Sequence, residues 1–371
     1  MKFCVITLFA LTLVLASGIV VAEESLEDKI LSQISDKPVK TWHQFVEKHD
    51  GTCMGKKEEI LEPEEHKIGG KNYKYWGYKI DVLTPDKDGK AVLGLFGATK
   101  NFLPETQENL KTLAETFKKR KVDAVLVLGD LAYVGKEIND ILSFFADRVG
   151  NVPILVVIGN AESRGPFGRA MRNLAKKRSN MFNLNAVRVF NGDDFSVVSI
   201  PGYYDKRFVE GRASCVYRKE DLKGLKDFFA EAKGPIVLAS HGPPRTTGGK
   251  KGIDSTPSGK NVGDPVMAKA IEHFKVPFGT FSHILEAGGT GWSFKKKKPV
   301  KEKAWSDSLF VNVGAANALD WNMNGGWVSQ GSAMIMTIDK GKKARYELIK
   351  MKRKETVDDD DEWGDDFDFD E

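Results

Sequence analysis

The strongest constraint on the fold is a short apolar run at 124–128, Ala-Val-Leu-Val-Leu, which is followed directly by Gly129 and Asp130. Consecutive Val and Leu residues are typical of a strand that is buried on both faces. Gly129 breaks the strand and Asp130 stands at its carboxyl end, where open α/β sheets bind their ligands. Gly-Asp after a strand is also ordinary turn chemistry. The role of Asp130 therefore depends on what stands at the ends of the other strands.

Predicted strands and helices alternate along most of the chain. Apolar runs predict strands at 92–96, 122–128, 152–158, 195–200, 235–239, 276–281, 309–313, 333–339 and 345–351. Helical periodicity predicts helices at 104–119, 137–148, 219–232 and 264–274. This alternation indicates an α/β fold whose sheet is covered on both faces.

Four of the predicted strands end in side chains that bind divalent metals. These side chains are Asp130, Asn160, His241 and His283, and each stands in a short loop beside a glycine or another small residue. A carboxylate, an amide oxygen and two imidazoles suit Mn, Fe or Zn. Any one of the four alone would more often be structural, since Asn after Gly forms turns and a lone His is often a hydrogen-bonded core residue. Four at corresponding places in one sheet predict a metal site.

The order of these motifs resembles the calcineurin-like metallophosphoesterase superfamily. The motifs read Gly129-Asp130, Gly159-Asn160, Ser240-His241-Gly-Pro-Pro and Ser282-His283-Ile-Leu, and the resemblance spans roughly residues 92–313. The resemblance implies a double β-sandwich flanked by helices. It also implies hydrolysis of phosphomonoesters or phosphodiesters at two metals bridged by an aspartate, here Asp130.

The departures from the family pattern are concentrated on one metal. Gly97 and Thr99 stand where the first motif has Asp and His, Ala161 stands where the catalytic His belongs, and Leu285 replaces the final His. Of the ligands of the first metal, only the bridging Asp130 remains. All four ligands of the second metal remain, so the resemblance implies at most one divalent ion, and we assign no catalytic residue.

Three hypotheses follow for the function. In the first, one metal supports weak, metal-dependent phosphoester hydrolysis, and Lys100 replaces part of the missing positive charge. In the second, the chain is a non-catalytic pseudoenzyme that binds a metal, a phosphate-bearing ligand or a protein. In the third, which is compatible with both, an acidic C-terminal segment with three aromatic residues docks a protein partner. A plain solvating tail remains the alternative for this segment.

Charge divides the chain into a basic body and an acidic tail. The whole chain has a net charge of +4, and ten of the residues 358–371 are acidic. Without that segment and without residues 1–22, Lys and Arg number 55 against 42 Asp and Glu, which leaves a net charge of +13. A basic body suits anionic ligands, and this charge makes nucleic acid or phosphate plausible without choosing either. Our predicted partner is a phosphate-bearing ligand, and no nucleic acid is predicted.

The sequence predicts four segments. Residues 1–22 are apolar after Lys2 and end in small residues, which predicts a cleaved signal peptide and an exported protein, periplasmic or secreted. An uncleaved membrane anchor is the alternative. Residues 23–90 are predicted to be an N-terminal extension packed on the core, 91–352 the metallophosphoesterase-like domain, and 353–371 a disordered acidic tail. Cys53 and Cys215 either form a disulfide or remain two buried thiols.

Overall fold

The computed structural model describes residues 38–210, 213–319, 321–322, 328–329 and 331–351. In chain order, the helices are α1 (Trp42–Lys48), α2 (Pro104–Lys119), α3 (Gly135–Val149), α4 (Arg164–Ala175), α5 (Lys219–Phe229) and α6 (Pro265–Phe274). The strands are β1 (Glu59–Ile68), β2 (Lys71–Gly77), β3 (Lys79–Val82), β4 (Lys90–Phe96), β5 (Ala124–Val127), β6 (Ile154–Val156), β7 (Met181–Asn183), β8 (Val189–Asn191), β9 (Ser196–Ile200), β10 (Ile236–Ser240), β11 (Phe278–Phe281), β12 (Thr290–Ser293), β13 (Lys298–Val300), β14 (Leu309–Asn312), β15 (Trp321–Asn322), β16 (Val328–Ser329), β17 (Ser332–Asp339) and β18 (Lys343–Lys350). Short 3₁₀ turns lie at Lys206–Phe208, Gly249–Lys251 and Leu285–Ala287.

Two sheets form the centre of the fold. One has ten strands in the order β1-β2-β3-β8-β9-β10-β11-β14-β12-β13, and the other has six in the order β18-β17-β4-β5-β6-β7. A short ribbon pairs β15 with β16. Apolar side chains from both sheets form one core cluster between them, and helices cover the outer face of each sheet. This is the predicted double β-sandwich flanked by helices.

Strand β5 shows how the sequence produces these layers. Successive side chains of a strand point to opposite faces. Ala124, Leu126 and Leu128 accordingly lie in the core between the sheets, whereas Val125 and Val127 pack under helices α2 to α4. Each buried Val or Leu stabilises the fold by roughly 1.5–3 kcal/mol. The strand is buried on both faces, as its composition predicts.

Helix α2 illustrates how the helices cover the six-stranded sheet. Pro104 lies in its first turn, where its missing N–H leaves no helical hydrogen bond unmade. The predicted apolar face is buried, with Leu113 and Phe117 among its members. Gly94 of β4 makes room for the Phe117 ring, because a Cβ at Gly94 would lie 2.8 Å from that ring.

Parallel pairing brings many strand ends to the same edge. Strands β4, β5, β6 and β7 are parallel neighbours in one sheet, and β9, β10, β11 and β14 are parallel neighbours in the other. The carboxyl ends of parallel strands share one edge of their sheet. The loops that leave these strands can therefore meet.

Residues 59–82 lie within the predicted N-terminal extension, residues 23–90, and also take part in a sheet. Strand β3 pairs in parallel with β8, with Ile80 opposite Phe190, so β1 to β3 continue the ten-stranded sheet. Strands β2 and β3 form a hairpin that turns after Gly77, which has a φ of 102°. The predicted segments 1–22 and 353–371 lie outside the described residues.

Cys53 and Cys215, whose pairing the sequence leaves open, form a disulfide with a Cα–Cα distance of 5.2 Å. The bond joins the segment before β1 to the loop before α5, across 162 residues of sequence. Closing so long a loop restricts the unfolded chain strongly, and native disulfides typically contribute about 2–4 kcal/mol. Cys215 is completely buried.

The sequence does not predict helix α4, because Gly165, Pro166 and Gly168 have low helix propensity. Pro166 lies in the first turn, where proline is tolerated. Gly168 is needed for packing, since a Cβ there would lie 1.3 Å from the carbonyl oxygen of Asp50.

Within the described residues, no helix combines the length and the apolar character that crossing a membrane requires.

Candidate metal centre

The four predicted metal-ligating side chains lie together where the two sheets meet. Asp130 and Asn160 come from the loops after β5 and β6 of the six-stranded sheet, and His241 and His283 come from the loops after β10 and β11 of the ten-stranded sheet. Nitrogen or oxygen atoms of Asp130, His241 and His283 all lie within 4.8 Å of one another. Asp130, Asn160 and His241 are buried, and His283 is partly exposed.

Asn160 Oδ1 lies close to both histidines of the candidate site. It lies 2.8 Å from His241 Nε2 and 2.8 Å from His283 Nδ1. His241 Nε2 lies 3.2 Å from His283 Nδ1 and 3.3 Å from Asp130 Oδ1. Four potential ligand atoms from four separate loops therefore face one another.

Neighbouring contacts fix which atoms face inward. Asn160 Nδ2 donates to the carbonyl oxygen of Phe208 at 2.6 Å, which turns Asn160 Oδ1 toward the histidines. His241 Nδ1 donates to the carbonyl oxygen of Leu128 at 2.6 Å, which leaves the lone pair on Nε2. A metal-binding histidine is typically oriented by such a hydrogen bond from its other nitrogen.

This donor set fits a divalent metal. Ligand atoms about 2.1 Å from one ion lie roughly 3.0–3.4 Å from one another in octahedral or tetrahedral geometry, close to the observed separations of 2.8–3.3 Å. Asn160 Oδ1, His241 Nε2 and ionised Asp130 all offer lone pairs. A cation between them would satisfy these lone pairs together.

Asp130 is held in place by the loop after β6, which carries Asn160. Its Oδ1 accepts hydrogen bonds from the backbone N–H groups of Asn160 and Ala161, both at 3.1 Å. Gly159 permits this approach, because a Cβ there would lie 2.2 Å from Asp130 Oδ1.

The other carboxylate oxygen of Asp130 is paired with a lysine. Lys100 Nζ lies 2.6 Å from Asp130 Oδ2, and both side chains are almost fully buried. Burial opposes ionisation of both groups, but neighbouring charges outweigh it. Attraction to Asp130 raises the pKa of Lys100, and the neighbouring His241, followed by Lys100, holds the pKa of Asp130 below its usual range. Asp130 is thus an ionised, buried carboxylate.

The backbone around the site is strained. Lys100 and Asp130 have φ angles of 62° and 57°, Ala98 has a φ of 50°, and His283 has a φ of 33°. Positive φ is unfavourable for residues other than glycine, and each such residue typically costs about 1–3 kcal/mol. Strain of this kind clusters at functional sites, where the surrounding structure holds it.

Burial also lowers the pKa values of the two histidines. It lowers the pKa of His241, and together with the neighbouring His241 it lowers the pKa of His283 to about 3. Both imidazoles are therefore neutral at pH 7, which is the form that binds metals. The ring of Tyr203 packs on His283 with a centroid separation of 3.9 Å. The sequence gives no signal for this contact, because Tyr203 belongs to a different loop.

Glu162 is a second buried carboxyl group beside the site. Its oxygens accept hydrogen bonds from the backbone N–H of Leu131 at 2.5 Å and of Gly159 at 2.8 Å. Burial, followed by the charge of Asp130, raises its pKa to about 7. Glu162 joins the loops after β5 and β6, and its position two residues after Asn160 is the available sequence signal.

A second acidic group consists of Asp86, Asp193 and Asp194. Lys71 Nζ lies 2.5 Å from Asp193 and 3.1 Å from Asp86. Two of the three carboxylates thus already share a lysine, which makes this group an ion-pair network.

A family model described as calcineurin-like phosphoesterase matches residues 103–286. The chain belongs to this family. The matched region includes Asp130, Asn160, His241 and His283, and it begins after Lys100. The predicted family and its fold are therefore confirmed. A search of curated proteins found no match.

Solved structures with a similar fold are distant in sequence. TT1561 of Thermus thermophilus has a TM-score of 0.45 at 12% identity, over 69% of this chain and 97% of its own. GAP50, titled the anchor in the inner membrane complex of Plasmodium, has a TM-score of 0.41 at 11% identity, over 72% and 91%. A dimetal phosphatase from Danio rerio has a TM-score of 0.41 at 10% identity, over 71% and 99%.

The positions at which the family resemblance implies ligands of a first metal have other contacts in this chain. Thr99 Oγ1 donates to the carbonyl oxygen of Leu131 at 2.8 Å. Leu285 packs with Ala98 and Ala315 in a small apolar cluster. A Cβ at Gly97 would lie 3.1 Å from Ser282 Oγ, a tight contact for any larger residue. Thr99 and Leu285 thus make structural contacts, and Gly97 has little room for a larger side chain.

Proposed function

We propose that this chain binds one divalent metal, Mn, Fe or Zn, through Asp130, Asn160, His241 and His283, and uses that ion together with Lys100 to bind a phosphate-bearing ligand. Hydrolysis of phosphoesters at this site is slow or absent. The observation that carries the proposal is the buried ion pair in which Lys100 Nζ lies 2.6 Å from Asp130 Oδ2.

The ion pair supports a site with one metal and one ammonium group. In a two-metal phosphoesterase, two cations clamp the phosphate and activate the nucleophile. Here Asp130 Oδ1 faces the histidines, at 3.3 Å from His241 Nε2, whereas Oδ2 faces Lys100. The carboxylate that bridges two ions in the family would then bridge one ion and one lysine.

The remaining chemistry is limited by the loss of the catalytic histidine. A bound divalent ion supplies a Lewis acid and lowers the pKa of a coordinated water. Lys100 supplies a fixed positive charge beside the phosphate. The methyl side chain of Ala161 has no proton to give to a leaving group. Its backbone N–H already donates to Asp130. Losing such a group typically reduces the rate by about 10²–10⁴-fold.

A non-catalytic binding module is the second candidate function. It is favoured by the apolar cluster of Ala98, Leu285 and Ala315, because Leu285 stands where a ligand of the first metal would be needed and packs there against apolar neighbours. In this case the metal and Lys100 would retain a phosphate-bearing ligand without breaking its ester bond.

We also propose that the protein is exported, either periplasmic or secreted, with residues 1–22 as its signal. The disulfide between Cys53 and Cys215 supports this proposal, because disulfides persist mainly in oxidising compartments. Retention of residues 1–22 as a membrane anchor is the alternative.

Replacing Asp130 with asparagine separates the two candidate functions. The amide keeps the shape of the side chain but removes the charge that pairs with Lys100 and the metal. With Mn, Fe or Zn supplied, we expect slow hydrolysis of an aryl phosphate by the native chain and a loss of at least about 100-fold in Asp130→Asn.

The exposed Asp227→Asn variant on α5 is the matched control and should retain the native rate. Equal rates in the native chain and Asp130→Asn would assign the hydrolysis to a contaminant. An absence of turnover by the native chain with all three metals, on both monoesters and diesters, would refute hydrolysis and leave the binding module.

A further inference from the structure

A large basic groove lies between α3 and α4, outside the metal centre. Its volume is about 860 Å³, and its lining includes Lys136, Arg169, Lys176 and Lys177 but no acidic side chain. Tyr133 and Val134 form an apolar wall at the end near β5, and 47% and 57% of their surfaces are exposed. We call this feature the α3–α4 groove.

The charge of the groove is only partly balanced by its neighbours. Lys136 pairs with Asp140 and Lys176 pairs with Glu47, each at 2.8 Å on the surface, where such pairs are weak. The side chains of Arg169 and Lys177 have no hydrogen bond or ion pair to any other residue in the part of the chain that the structure describes. The groove therefore offers unbalanced positive charge beside exposed apolar surface.

The last described strand of the six-stranded sheet ends at the sheet edge where this groove begins. Strand β18 is antiparallel to β17, and β17 is antiparallel to β4. The carboxyl end of β18 thus lies at the same sheet edge as the carboxyl ends of β4 and β5, where α3 begins. The side chain of Met351, directly after β18, belongs to the apolar layer that α2, α3 and α4 cover.

The sequence after Met351 complements the groove. Residues 358–371 contain ten acidic residues together with Trp363, Phe367 and Phe369. Four strand spacings separate β18 from β6, a distance of about 19 Å. The six residues 352–357 span about 20 Å when extended, which is enough to bring the acidic segment to the α3–α4 groove.

We propose that the acidic segment 358–371 binds in the α3–α4 groove of its own chain, with its carboxylates on the basic side chains and its aromatic rings against Tyr133 and Val134. A second basic groove between α5 and α6 includes Lys223 and Lys226. The two helices that form this groove cover the outer face of the ten-stranded sheet, on the other side of the sandwich from Met351. The exit of the chain therefore favours the α3–α4 groove. This inference does not depend on the proposed metal or phosphate chemistry.

Carbodiimide cross-linking of the full chain tests the proposal, because this reagent joins carboxylates to lysine amines that are in direct contact. At micromolar concentration, mass spectrometry should find the segment 358–371 linked mainly to Lys136, Lys176 and Lys177. In the double variant Arg169→Glu with Lys177→Glu, links to the remaining two lysines should fall about tenfold, since attraction is replaced by repulsion. They should also disappear near 1 M salt, where charges are screened within about 3 Å.

The matched control is Lys223→Glu with Lys226→Glu, which should leave these links unchanged. Circular dichroism checks the folding of each variant, and Arg169→Gln with Lys177→Gln replaces the charge reversal if that protein does not fold. Links mainly to the α5–α6 groove, links spread evenly over all lysines, or an unchanged pattern in the α3–α4 variants would each overturn the proposal. The same experiment on a mixture of isotopically labelled and unlabelled chains shows whether a link joins one chain or two. Links formed only between two different chains would also overturn the proposal.

Discussion

Replacing Lys100 with methionine is expected to lower the free energy of unfolding of the metal-free protein by about 3 kcal/mol. Methionine has a similar length, so the main change is the loss of the ammonium that lies 2.6 Å from Asp130 Oδ2. Asp130 would then be a buried carboxylate without its paired cation. Denaturant unfolding, monitored by circular dichroism, measures the difference.

Lys303→Met is the matched control for the backbone. Lys303 has a φ of 64°, nearly the same as the 62° of Lys100, but its side chain is exposed. Any cost of placing methionine at a positive φ is therefore shared by both variants. We expect a change below about 0.5 kcal/mol in the control. If Lys100→Met and Lys303→Met lose the same small amount, the ion pair does not stabilise the site.

A bound metal should reduce the effect of Lys100→Met. A divalent ion near Asp130 Oδ1 would supply positive charge to the same carboxylate, so the two cations partly replace each other. The loss of stability in saturating Mn or Zn should therefore be smaller than the loss in chelator. A loss that is independent of metal would show that Lys100 and the metal do not share Asp130.

Replacing His241 with alanine is expected to weaken metal binding by more than about 100-fold. Removing even a partner that merely orients a metal ligand typically costs 10–100-fold, and His241 is itself a proposed ligand. Its Nε2 lies 2.8 Å from Asn160 Oδ1 and 3.2 Å from His283 Nδ1, so its loss opens the centre of the donor set. Competition with a chelator of known affinity measures the change.

His273→Ala is the control for this variant, because His273 is an exposed histidine on α6 that has no part in the donor set. It should bind metal as tightly as the native chain. If His241→Ala retains native affinity while folded, the metal does not bind between the four strand ends.

The site could be predicted from the sequence because parallel strands impose a simple geometry. Asp130 and Asn160 follow neighbouring strands of one sheet, and His241 and His283 follow neighbouring strands of the other. Each apolar run marks a strand, and the polar residue that ends it must lie at the common edge. Parallel pairing therefore gives the place of each pair within its own sheet. The prediction that all four stand in one sheet is wrong, because the two pairs come from two different sheets.

The parts that could not be predicted depend on contacts between distant segments. Strand β1 contains four glutamates, a proline and few apolar residues, so it carries little strand signal of its own. Cys53 and Cys215 are separated by 162 residues, and no spacing rule pairs them. A lysine that opens a loop usually points to solvent. Lys100 is buried because Asp130 lies opposite it, and the sequence of either loop alone does not contain that fact.

Quantifying the metals in the purified native chain by mass spectrometry tests the central claim most directly. We predict about one Mn, Fe or Zn ion per chain after exchange into metal-free buffer, because Lys100 occupies the second oxygen of Asp130. Two tightly bound ions per chain would contradict it, since a second ion would need the place that Lys100 and the apolar cluster at Leu285 now fill. A chain that binds no metal even when Mn, Fe and Zn are supplied would also contradict it.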